Sequence, residues 1–130
     1  MNTSVAMSAY RNTHAHSAVM DASPHKLISL LLKGAIDRVS QARGALERKD
    51  IAQRGELIGK AISIVGSLQA ALDKEQGGEI AQNLDSLYDY MERRLLTANV
   101  ENDAGALDEV ANLLREIQAG WDAIAPAVAE

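Results

Sequence analysis

The chain is 130 residues long, with 47% hydrophobic and 24% charged residues, which is one ordinary globular domain. It has no cysteine, which excludes a disulfide framework, a thiolate metal site and a cysteine nucleophile together. A net charge of −5 and only four aromatics (Tyr10, Tyr88, Tyr90 and Trp121) argue against nucleic-acid binding, which needs a basic face or stacking platforms.

Residues 1–22 are small and polar, with Met7, Tyr10, Val19 and Met20 scattered through them, and are expected to form a mobile or short-helical arm. Ser23-Pro24 starts the first helix, because Ser is a good N-cap and Pro at the first helical position loses no useful donor. Leu27, Ile28, Leu31, Ala35, Val39, Ala42 and Leu46 follow at helical spacing, and the helix is expected to end between Glu47 and Lys49. Asp50 can cap a second helix with the stripe Ile51, Ile58, Ala61, Ile62, Val65, Leu68 and Leu72. The polar run ending in Gly77-Gly78 breaks the chain before a third helix from about Glu79 to Ala98. That helix carries Ile80, Leu84, Leu87, Met91, Leu95 and Ala98, and a loop is expected over Asn99 to Asp103. The fourth helix shows Leu107, Val110, Leu114, Ile117, Trp121 and Ile124 in alternating steps of three and four, and Pro126 stops it. No stretch alternates with a period of two. The expected fold is all-α, an antiparallel up-and-down four-helix bundle over 23–125, preceded by the arm and followed by a tail over 126–130.

Little in the chain points to catalysis. His14, His16 and His25 have no further ligands beside them and are expected to be exposed to solvent. The carboxylate pairs Asp85/Asp89 and Glu75/Glu79 lie off the apolar stripes, and no Glu-x-x-His of a di-iron bundle is present. P-loop, Rossmann and nucleophile-elbow signatures are absent too. The expectation is no enzyme, no cofactor and no metal.

Binding is the better lead. Gly55, Gly59 and Gly66 fall within about 40° of one another on a helical wheel, a strip without side chains. Such a strip serves either close packing inside the bundle or a partner's helix. Apolar arcs on the first two helices span about 180°, where a surface helix needs a stripe only somewhat over 100° wide. Leu30 lies outside the arc of the first helix, Leu57 and Ile64 widen that of the second, and Tyr90 and Leu96 flank that of the third. The excess serves either a wide core or a docking surface. Tyr10 could anchor the arm over such a groove.

Several segments, taken in order, resemble the flagellin-specific export chaperones of bacterial flagellar assembly, the FliS family. The matching pieces are Tyr10, about a dozen residues before Ala22-Ser23-Pro24, then His25-Lys26-Leu27-Ile28, Gly34-Ala35, Lys49-Asp50-Ile51 and Lys60-Ala61-Ile62. Glu79-Ile80-Ala81-Gln82-Asn83-Leu84, Leu87-Tyr88-Asp89-Tyr90-Met91, Arg93-Arg94-Leu95, Ala98-Asn99 and Trp121 complete the set. The resemblance implies a cytoplasmic helical bundle that binds the disordered C-terminal segment of flagellin. It would prevent premature polymerisation and deliver flagellin to the type III export apparatus without ATP, with Tyr10 covering part of the groove in the free protein. An export-gate component and other flagellar regulators are further candidate partners; nucleic acid and membrane insertion are not expected. The cargo-contact candidates are Tyr10 from the resemblance, and Leu30, Gly55, Leu57, Gly59, Ile64, Gly66, Tyr90 and Leu96 from the helical wheels. The competing reading is a structural or regulatory bundle that self-associates or binds a folded partner, and monomer or weak dimer stays open.

Overall fold

A computed structural model describes residues 23–124; Tyr10, His14, His16, the arm over 1–22 and the tail over 126–130 lie outside the described residues. Among the described residues four helices follow one another: α1 (Pro24–Glu47), α2 (Ile51–Ala70), α3 (Lys74–Glu101) and α4 (Ala104–Ala123). Each begins at a side-chain cap. Ser23 Oγ accepts from the Lys26 N–H at 3.1 Å, Asp50 from Gln53 at 3.1 Å, Asp73 from Gln76 at 3.0 Å and Asp103 from Ala106 at 3.1 Å. Each cap satisfies an amide that the helix leaves without an internal partner.

The turns are tight. Lys49 and Asn102 both take left-handed backbone conformations, with φ of 60° and 54°. The following amides bond back across the helix end, Asp50 to the Ala45 carbonyl at 2.9 Å and Asp103 to the Ala98 carbonyl at 3.2 Å. This C-terminal motif carries α3 to Glu101, so the loop expected over Asn99–Asp103 shrinks to Asn102 and Asp103. The break expected at the glycines is real but internal. Gly78, at φ 53° and ψ −128°, interrupts α3 after a first turn that Asp73 caps.

Connections this short force each helix antiparallel to the next. Contacts run α1–α2, α2–α3 and α3–α4, and α4 closes the ring on α1. At one end of that closure His25 and Trp121 stack with centroids 4.4 Å apart; at the other, Arg43 Nε donates to Asp108 at 3.1 Å. The protein is therefore an all-α four-helix bundle. Its interior joins Leu31, Leu32 and Val39 of α1, Ile58 and Val65 of α2, Met91 and Leu95 of α3, and Leu107, Val110 and Leu114 of α4. Fully buried alanines at 35, 42, 61, 98 and 106 allow close helix approach.

Several expected core positions are corrected. Ile80 is 73% exposed, and the α3 seam runs instead through Ala81, Leu84, Tyr88, Met91, Leu95 and Ala98 in regular steps of three and four. Ile51 is exposed in the first turn of α2, and Ile124 is exposed at the C-cap just past the end of α4. Trp121 is half-buried rather than central, and its indole N–H donates to the His25 carbonyl at 2.9 Å. His25 is in turn not a solvent-exposed histidine: its Nε2 donates to the Trp121 carbonyl at 2.9 Å.

Candidate functional site: the trough between α2 and α3

On α2, Gly55, Gly59, Ile62, Gly66 and Gln69 recur in steps of four and three and form one shoulder of the helix. On α3, Asp85, Asp89, Glu92, Leu96 and Asn99 recur in the same way. Two sets of contacts fix how these rows meet. At one end Gln69 Nε2 donates to Asp85 Oδ1 at 2.9 Å and to Asp89 Oδ1 at 2.8 Å. At the other, a Cβ built on Gly55 would stand 3.9 Å from the Asn99 amide. Gly59 and Gly66 lie between these ends on α2, and Asp89, Glu92 and Leu96 lie between them on α3.

The middle of this seam is open. A Cβ at Gly59 or Gly66 would meet nothing within 4 Å. Ile62 lies between them, half-buried against the core. Leu96 is 55% exposed, and Val100, one turn further along α3, is 79% exposed. We take this uncovered outer side of the seam, with glycines on α2 and the exposed Leu96 and Val100 on α3, as a candidate trough.

The candidates divide accordingly. Gly55 meets Asn99 of α3, while Gly59 and Gly66 face open space and Leu96 is exposed on the two helices that flank the candidate trough. Leu57 and Ile64 do not: at 6% and 8% exposure they are core residues, which corrects their placement on an exposed flank. Leu30 is half-buried on α1, away from the trough. Tyr90 faces the opposite seam, where its hydroxyl donates to Glu109 Oε2 at 2.6 Å beside Arg94, whose Nε donates to Glu109 Oε1 at 2.8 Å. The Tyr90 and Arg94 hydrogen bonds hold the Glu109 carboxyl below its usual range. Val100 was missed, although its position four residues after Leu96 was a readable signal.

The acidic row has its own electrostatics. Gln69, and then Lys74 with Nζ 3.3 Å from Oδ2, pull the Asp85 carboxyl below its ordinary value. Glu92 goes the other way: desolvation first, then the charges of Asp89 and Asp85, push its carboxyl up. Its Oε2 is buried with no hydrogen-bond partner among the described residues. A carboxyl raised in the fold binds its proton more tightly there than in the unfolded chain. Its contribution therefore favours the fold most below the ordinary glutamate value of about 4.3 and weakens as pH rises through the raised one. Glu92→Gln is accordingly expected to raise the melting temperature at pH 7, with the gain fading as the pH of the melt is lowered toward 4. An equal or lower melting temperature at pH 7 would contradict the burial of that charge.

Among the described residues no three His, Asp or Glu side chains gather as a metal site, and no helix is long and apolar enough to cross a membrane. What the fold presents is an all-α helical bundle with a closed interior and a candidate trough on one face. The family described as flagellar protein FliS matches residues 6–128, and the chain belongs to that family. It is 54% identical over 119 residues to the flagellar secretion chaperone FliSB of Pseudomonas aeruginosa, covering 92% of this chain and 94% of that protein. To the flagellar secretion chaperone FliS of Salmonella typhimurium it is 50% identical over 127 residues, covering 97% and 94%. The Bacillus subtilis flagellar secretion chaperone FliS is 31% identical over 108 residues, covering 83% and 80%. All three relatives are named as flagellar secretion chaperones.

Proposed function

We propose that the chain is a cytoplasmic export chaperone that binds the disordered C-terminal segment of flagellin, holds it back from polymerising and hands it to the flagellar type III export apparatus. The observation that carries this reading is the α2–α3 trough: open space over Gly59 and Gly66 beside the exposed Leu96 and Val100, on a bundle that fills its interior without them. A disordered amphipathic segment folds by laying its apolar face into a preformed groove. Ordering such a segment costs about 2–5 kcal/mol or more, so a long apolar contact is needed to offset it. A trough along two helices supplies that length, and release needs no chemistry if the export machinery competes for the cargo.

The test is calorimetry with a peptide spanning the flagellin C-terminal segment, with circular dichroism on the mixture. Binding at micromolar affinity or tighter, with a gain of helix in the peptide, is the expected result. Absence of binding, together with a concentration-dependent dimer in sedimentation, would favour a self-associating structural bundle instead. In the same assay Tyr10→Ala is expected to change peptide affinity while leaving the melting temperature close to that of the native chain, because residue 10 precedes the four helices. A large drop in melting temperature would place Tyr10 in the bundle interior and remove it from cargo control.

A further inference from the structure

Arg54 is the one charged side chain buried among the described residues, at 7% exposure. Burying a charge is costly unless it is well bonded. Its guanidinium is bonded along its whole edge: Nε donates to Asn99 Oδ1 at 3.1 Å, Nη2 to the Asn99 carbonyl at 3.0 Å, and Nη1 to Asn102 Oδ1. These acceptors are neutral oxygens at the C-terminal end of α3, where the helix dipole is negative. The first turn of α2, by contrast, disfavours a cation. The position is thus explained by what Arg54 does for α3, not for its own helix.

Its grip falls at the end of the trough. Asn99 lies between Leu96 and Val100 on α3 and faces Gly55, the residue next to Arg54. Asn102 is the left-handed residue that turns the chain into α4. A planar fork that holds both asparagines fixes the register and spacing of α2 against α3, where a lysine could offer only a point charge. We infer that Arg54 is a positioning residue for the trough, setting where the Leu96–Val100 ridge stands relative to Gly55 and Gly59. For cargo binding this rests on the flagellin reading above; for trough geometry it does not.

The chain has no cysteine, so Gly59→Cys with Leu96→Cys introduces a unique pair for spin labels across the trough. In the labelled full chain, Arg54→Lys is expected to broaden and shift the distance distribution. Asn102→Gly keeps the left-handed turn but removes one acceptor, and is expected to do the same to a lesser degree. Both are compared at a temperature where circular dichroism shows each variant folded. In unlabelled chains Arg54→Lys is expected to weaken the flagellin C-terminal peptide about tenfold. An unchanged distance distribution in both folded variants overturns the inference. So does a peptide affinity within about twofold of the native chain, because a purely stabilising role leaves the folded protein's affinity intact. If the native chain binds no peptide while the label distance still responds to Arg54→Lys, the flagellin reading fails and the positioning role stands.

Discussion

Leucines at Gly59 and Gly66 are expected to abolish most cargo binding while leaving the bundle at least as stable as before. A glycine inside a helix costs about 0.8–1 kcal/mol relative to alanine, because the unfolded chain has more freedom to lose. Neither position has a left-handed φ, and a Cβ at either meets nothing within 4 Å. Gly59→Ala with Gly66→Ala should therefore raise the stability measured by urea denaturation by roughly 1–2 kcal/mol. Gly59→Leu with Gly66→Leu adds side chains that occupy the trough itself. Displacing one or two apolar anchors of a bound helix removes about 3 kcal/mol of burial, roughly a hundredfold in Kd. Calorimetry with the flagellin C-terminal peptide measures that loss. A stable double-leucine variant that binds like the native chain would mean that the cargo uses another face of the bundle.

The sequence features that foretold the fold were local ones. Ser23 and Asp50 act within a few residues of themselves, so their roles survive any tertiary arrangement; the glycine pair at 77–78 marked a kink, but the Asp73 cap sets the start of α3 five residues before the expected Glu79. Alternating steps of three and four likewise located the α4 seam at Leu107, Val110 and Leu114. The α3 seam was legible at Leu84, Met91, Leu95 and Ala98, but two positions were placed one residue early, because Ala81 and Tyr88 are less hydrophobic than their neighbours Ile80 and Leu87 and yet are the more deeply buried. Arc width misled in the same non-local way. In a ring of four, each helix packs against two neighbours. About half of its circumference is then taken up by the bundle, which is why Leu57 and Ile64 are core residues rather than spare surface. The strip of Gly55, Gly59 and Gly66 was legible from spacing alone. Whether it was packed shut could not be read, because that depends on how far α3 stands off. Arg54 gave no signal, since its partners Asn99 and Asn102 are ordinary amides on another helix.

Leu95→Ala is expected to cost about 2–5 kcal/mol of stability, the range for deleting a large aliphatic side chain from a packed interior. Leu95 is fully buried on α3, in the same core cluster as Leu32, Ile58 and Leu107. The surrounding helices are held at their ends, by the Arg54–Asn99 contacts on one side and the His25–Trp121 stack on another, so collapse into the cavity is restricted. Trp121→Ala provides the contrast. A ring in the core would cost about 3–5 kcal/mol, but this one is half-buried at the end of the ring of helices. Its loss removes one hydrogen bond and one stacked contact, about 2 kcal/mol together. Urea denaturation followed by circular dichroism measures both. Leu95→Ala should give the larger drop in midpoint, and the bundle with Trp121→Ala should remain cooperative. The reverse order would mean that the closure of α1 on α4, rather than the interior layer around Leu95, supports the fold. In that case the His25–Trp121 stack and the Arg43–Asp108 bond between α1 and α4 would have to hold before the interior could stay packed.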